Sequence, residues 1–142
     1  MRLFLDASVL LAAAGSPKGS SRALFSYAAA QGWVLVSSPY SLNEVLQNLG
    51  KLPASATAEW LRLRPQVTVV DDVVSLNRPV IFAASKDRPI LFTALAWAQV
   101  LLTLDKADFA DMLGGTFYGL GVLLPYDFLR RERTAGRLGA TE

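Results

Sequence analysis

Five short apolar runs recur along the chain, separated by segments of helical periodicity, and this alternation limits the fold more than any other feature. The runs are Arg2–Leu5, Trp33–Val36, Val67–Val70, Val100–Leu104 and Val122–Leu124. Each is short enough for a strand buried on both faces, and each spacing is too long for a hairpin. After the first run, Val9, Leu10 and Ala13 have helical spacing. Ser20-Ser21 can cap a helix through Leu24, Phe25, Ala28 and Ala29 that stops at Gly32. Ser37-Ser38-Pro39 opens another, with Leu42, Val45, Leu46 and Leu49 on one stripe and an end near Gly50. Pro53 and Ser55 open a helix containing Trp60, Leu61 and Leu63 that Pro65 ends. Asp87 is an N-cap candidate before Pro89, Ile90, Leu91, Ala94, Leu95 and Ala98, and Pro125 begins a terminal helix.

Asp71 to Ser85 has no clear period and is read as helix or loop with Val73, Val74, Leu76, Val80, Ile81 and Ala84 facing inward. Gly114-Gly115, Gly119 and Gly121 mark turns. Strands alternating with helices predict an α/β fold, a three-layer α/β/α sandwich around a parallel sheet of four to five strands. At 142 residues, with no linker or repeat, the expectation is one domain spanning 1–142.

Two missing residue types narrow the chemistry. The chain has no cysteine and no histidine. Disulfides, thiolate nucleophiles and cysteine-held zinc are excluded, and so are a Ser-His-Asp triad and imidazole base catalysis. Hydrolysis by such a chain must use carboxylates, metal ions or lysine. Carboxylate oxygens are hard donors suited to magnesium or manganese.

Net charge is +2, but Arg130, Arg131, Arg133 and Arg137 stand near the end with only Glu132 and Glu142 beside them, so residues 1–129 balance at zero. That basic tail can contact phosphate or simply solvate a helix end. The uncharged stretch Pro89–Leu104 is shorter than a membrane span and reads as buried helix and strand. The apolar run Ala7–Ala14 has some signal-peptide character, yet Asp6 interrupts the segment, and a cytoplasmic protein without a membrane anchor is the expectation.

Ligand sites in open α/β sheets lie at the carboxyl ends of strands, and Asp6 and Asp105 each follow an apolar run. An Asp in that position also commonly caps the next helix or closes an Asx turn. Glu44 falls on the helical flank of Ser41 and Asn48, and Asp87 is an N-cap by pattern. Asp71-Asp72 reads as a turn. Several carboxylates around divalent cations suffice for hydrolysis without histidine, one ion acidifying a water and another stabilising the leaving oxygen. Crowded acids should also show raised pKa values without metal.

The ordered motifs Leu5-Asp6-Ala7-Ser8-Val9-Leu10, Ser38-Pro39 through Glu44, Asp87-Arg88-Pro89-Ile90-Leu91, Leu102-Thr103-Leu104-Asp105-Lys106-Ala107-Asp108-Phe109 and Leu123-Leu124-Pro125-Tyr126-Asp127-Phe128 resemble those of PIN domains across the whole chain. The resemblance implies a Rossmann-like sheet and a metal-dependent endoribonuclease that hydrolyses RNA phosphodiester bonds. Carried over, Asp6, Glu44, Asp87 and Asp105 would be catalytic and hold Mg2+ or Mn2+, with Asp108 as a further metal acid and Ser8 and Thr103 as auxiliary residues. Size and layout resemble VapC-type toxins, which implies a cognate antitoxin and a homodimer as partners.

The alternative is a non-catalytic PIN-like module that binds RNA or protein. A receiver domain would need an acidic pair after the first strand, where only Asp6 stands, and a haloacid-type phosphatase would need an Asp where Ser8 stands. Arg22, Lys86, Arg88 and Lys106 are the phosphate-contact candidates. Trp33, Trp60 and Trp97 are expected in the core, with Trp60 the one whose exposure is hardest to place.

Overall fold

The computed structural model describes residues 1–73 and 88–139. Strands β1 (Arg2–Leu5), β2 (Val34–Ser37), β3 (Thr68–Val69), β4 (Val100–Leu102), β5 (Gly115–Phe117) and β6 (Leu120–Leu123) form one sheet in the order β3-β2-β1-β4-β6-β5. All neighbours pair in parallel except β5, which lies antiparallel to β6 at the edge. The sheet therefore has six strands and is mixed, where the sequence predicted four to five parallel ones. The sixth is the three-residue β5, in which Gly115 and Thr116 gave no apolar run to read.

A tight turn joins β5 to β6. Tyr118 and Gly119 both take positive φ, 50° and 87°, as a two-residue hairpin turn of the primed type requires. Glycine accepts that conformation freely, whereas tyrosine adopts it at a cost.

The helices are α1 (Ala7–Gly15), α2 (Ser20–Gln31), α3 (Pro39–Asn48), α4 (Ser55–Leu63), α5 (Arg88–Trp97) and α6 (Pro125–Thr134). Their boundaries follow local chemistry. Ser38 caps α3 with its side chain and Pro39 takes the first turn. Gly32 closes α2 in the left-handed conformation, φ 69°, and its N–H reaches the carbonyls of Ala28 and Ala29. The cap of α2 is Gly19, not the serine pair, and no side chain bonds there. Short 3-10 turns follow α3 and α4 at Leu49–Lys51 and Arg64–Gln66.

Period-two alternation sends the strands into two cores. Leu3, Leu5, Leu35, Leu102 and Leu123 face one side, against α1, α2, α4 and α6 residues such as Leu10, Leu24, Trp60 and Phe128. Phe4, Val36, Leu101 and Val122 face the other, against Ile90, Leu91 and Ala94 of α5 and Phe109. Helices cover both faces, so the three-layer α/β/α reading stands. Leu5 pairs with Leu102, which sets the carboxyl ends of β1 and β4 side by side at the sheet's centre.

Trp33 and Trp60 are buried, Trp33 edge-on to Phe128 at a centroid distance of 5.1 Å. Trp97 is the exception among the three: it is 39% exposed, with Nε1 donating to the Asp71 carbonyl at 3.1 Å. It ends α5, where the helix leaves the core. No described helix is long and apolar enough to cross a membrane.

Candidate active site

The central carboxylate belongs to Asp6. It follows β1, and its backbone N–H reaches the Leu102 carbonyl of β4 at 3.3 Å, continuing the ladder one step beyond the strand. The side chain turns back to cap α1, Oδ1 accepting from the Val9 N–H at 3.1 Å. The capping alternative weighed from sequence is thus real. It occupies only part of the carboxylate.

Two hydroxyls take the rest. Ser8 Oγ donates to Oδ1 and Thr103 Oγ1 donates to Oδ2. Each hydroxyl is itself held by the segment after β4: Ser8 Oγ accepts from the Leu104 N–H and Thr103 Oγ1 from the Asp105 N–H, both at 3.0 Å. Ser8 and Thr103 therefore tie the end of β1 to the turn that carries Asp105. Ser37, read from the sequence only as part of a helix opening, adds a third brace by donating to the Leu5 carbonyl at 2.8 Å from the buried end of β2. A polar residue ending an apolar run was its only signal.

Asp6 is almost fully buried, and its pKa is raised from 3.8 to about 6. Burial is the chief cause, because a desolvated carboxylate prefers its neutral form. The hydrogen bonds from Ser8, Thr103 and Val9 oppose that, and the charge of Asp105 adds the smallest push upward. The rise expected from crowding is present, but burial rather than crowding produces most of it.

Asp105 is half-buried in the turn after β4. Its Oδ1 accepts from the Asp108 N–H at 3.0 Å, an Asx-type closure that brings Asp108 onto the same turn. Lys106 is exposed between them. The structure so brings together Asp6, Ser8, Thr103, Asp105 and Asp108.

Glu44 sits midway along α3, half-buried, and its flank is less solvated than the wheel suggested, since Ser41 is fully buried. Asp87 and Lys86 fall outside the described residues, as does most of the segment Asp71–Ser85. Arg88 begins α5. Among the described residues, no group of three or more His, Cys, Asp or Glu is placed to hold a metal ion.

Arg22 is tied into the fold. Its guanidinium pairs with Glu59 of α4 at 2.9 Å and Nε donates to the Ala13 carbonyl of α1 at 2.7 Å, so it locks the α1–α2–α4 seam. Asp72, read as a turn residue, accepts from the Tyr40 N–H at 3.2 Å and so steadies the start of α3.

No family model matches the sequence, and no curated protein matches it either. Among solved structures, the fold matches a chain of the crystal structure of VapBC2 from Rickettsia felis bound to a DNA fragment from their promoter. The TM-score is 0.60, the identity 14%, and the match covers 86% of this chain and 97% of that one. The fold resembles that of the VapBC2 chain. At that identity the likeness is one of architecture, and it agrees with the fold that the ordered motifs implied. Asp6 and Asp105 follow the neighbouring carboxyl ends of β1 and β4.

Proposed function

We propose that the chain is a metal-dependent endoribonuclease, acting on RNA phosphodiester bonds as the toxin of a toxin–antitoxin pair. The observation that carries the reading is Asp6: a buried carboxylate at the carboxyl end of the central strand, fixed by two hydroxyls and facing the charge of Asp105. A purely structural cap gains nothing from burial that raises its pKa. Such a group is suited to a cation, which would restore its ionised form.

The donor set fits Mg2+ or Mn2+. It consists of hard oxygens from Asp6, Asp105 and Asp108, with no cysteine or histidine in the sequence to favour another metal. Asp6 and Asp105 would hold the ion, with Asp108 beside them and Glu44 and Asp87 as the other proposed ligands. When bound, the ion would supply the positive charge that lets the acids ionise together and that acidifies an attacking water.

The chain's own contribution is orientation. Ser8 and Thr103 fix both oxygens of Asp6 and at the same time hold the backbone N–H groups of Leu104 and Asp105, so the two acids cannot drift apart independently. Lys106, exposed on the same turn, would meet a phosphate oxygen of the substrate. The toxin assignment rests on the fold likeness and on the small, one-sheet architecture. A short neighbouring reading frame for a DNA-binding protein, whose co-expression relieves growth arrest, is the expected genetic context.

The deciding experiment incubates the purified protein with mixed single-stranded RNA in Mn2+ or EDTA. Cleavage in Mn2+ that EDTA abolishes, and that Asp6→Asn and Asp105→Asn lose, supports the enzyme. Unchanged activity in both variants sinks the reading, and RNA binding indifferent to metal with no cleavage supports the non-catalytic module.

A further inference from the structure

The four arginines of the C-terminal segment do not have equivalent surroundings. Arg130 pairs with Asp127 at 3.1 Å and lies 5.8 Å from the centre of the Tyr126 ring. Arg131 donates to the Gly114 carbonyl at 2.8 Å, and Arg137 pairs with the buried Glu132. Arg133 differs. Its Nε is sealed from solvent and meets no acceptor, a costly state for a guanidinium donor.

Arg133 lines a groove of about 400 Å3 between α2 and α6. Ser20, Ala23 and Tyr27 form one wall, and Tyr126, Leu129 and Arg133 the other, each set spaced three and four residues apart on its helix. Lys18 stands at the mouth. No carboxylate is among the lining residues, so two cations face the groove with no acid there to balance them. The groove shares no residue with the Asp6 cluster.

We infer that this groove is a second contact site for single-stranded RNA, taking a backbone phosphate between Arg133 and Lys18 and a base against the Tyr126 ring. The inference rests on the ribonuclease reading above and extends it to substrate that runs beyond the cleaved bond. The terminal nitrogens of Arg133 and the Nζ of Lys18 line the groove as charged donors of the kind that a phosphate accepts. Tyr126 is 59% exposed with a guanidinium already near its ring, which suits sequence-tolerant stacking of a base. An acidic peptide would use the cations, but it would leave two tyrosine rings on opposite walls without a role.

The test measures binding of a fluorescent single-stranded RNA of about 12 nucleotides in EDTA, across a salt series. Arg133→Gln and Lys18→Gln are each expected to weaken binding about threefold to tenfold and to reduce the slope of log affinity against log salt by about 0.7. Tyr126→Ala should weaken binding with the slope unchanged. Cleavage of a very short RNA in Mn2+ should stay at the wild-type level in all three.

Affinity and slope unchanged in Lys18→Gln and Arg133→Gln overturn the site. Binding of poly-glutamate that depends on Arg133 while RNA binding does not would overturn the RNA assignment. If Arg133→Gln fails to fold, the exposed Lys18 carries the same test alone. Because binding is read without metal, a wild type that binds RNA through these residues but never cleaves it would refute the nuclease reading and leave the groove standing.

Discussion

Asp6 and Asp105 carry the same sequence signature, an acid after an apolar run, and the fold gives them opposite surroundings. Asp6 is buried, accepts from a backbone N–H and two hydroxyls, and sits about two pH units above its usual range. Asp105 is half-buried in a turn, and its carboxylate takes the backbone N–H of Asp108. The difference follows from position in the sheet. The turn from β1 into α1 is roofed by Thr103 and Ser8, whereas the turn after β4 leads outward to exposed Lys106 and Ala107. A strand-end acid is therefore not one kind of residue: depth decides whether its carboxylate is desolvated or solvated.

The largest effect should come from the buried member. Asp6→Asn is expected to lower RNA cleavage by about 10²–10⁴-fold while leaving the fold intact, because the amide keeps one acceptor for the α1 cap. Its stability effect has the opposite sign. A carboxyl whose folded pKa lies above its unfolded value favours the fold when protonated, so metal-free wild type should lose stability as pH rises from about 4 to about 6. The ceiling on that loss is roughly 3 kcal/mol. Asp6→Asn has no such titration, so its melting curve should stay flat through that window and cross above the wild type. A parallel pH dependence in both proteins would refute the burial argument.

Asp105→Asn should cost less, about tenfold to a hundredfold in cleavage, since a half-buried turn carboxylate can be replaced in part by water. It also separates the two causes of the Asp6 shift. With the neighbouring charge gone, the Asp6 pKa, followed by carbon NMR of its carboxyl, should fall only slightly from about 6. A fall back to the ordinary range would mean that crowding, not burial, governs the site.

Thr103→Val comes next. It keeps the shape but removes the donor to Asp6 and the acceptor for the Asp105 N–H in a fully buried position. The expected loss is about 1–3 kcal/mol of stability, read by urea denaturation, with the Asp6 pKa moving further up.

These effects also show which parts of the molecule the sequence could reveal. Asp6 and Asp105 were legible because a strand ending in an acid is a one-dimensional pattern, and the sheet order then joined them. The two hydroxyls were found only through the resemblance to PIN motifs, since a Ser two residues after an acid and a Thr two before one occur in any turn. The pairing of Arg22 was not legible because its partner, Glu59, lies in another helix, and nothing in the local sequence marks a bond across helices. β5 escaped because Gly115 and Thr116 give no hydrophobic run, the strand being made by the Tyr118-Gly119 turn and by pairing to β6. The orphaned Nε of Arg133 was hidden inside a run of arginines that looks uniform when read as a string.

The smallest effect should come from Ser8→Ala, and it is the sharpest probe of the contrast between the two acids. Ser8 bridges them, donating to Asp6 and accepting from the Leu104 N–H beside Asp105. Unlike Thr103 it is half-buried, so water can reach the vacated space and satisfy the Leu104 N–H. Stability should therefore fall by only about 0.5–1.5 kcal/mol. Asp6 loses one of the hydrogen bonds that hold its pKa down, so its titration should shift upward at least as far as in Thr103→Val. Cleavage should drop modestly, with the loss largest at low pH, where the metal must compete with a proton for Asp6, and it should be recovered by raising pH or Mn2+. A loss independent of both would show that Ser8 acts on the turn bearing Asp105 and not on the carboxylate of Asp6.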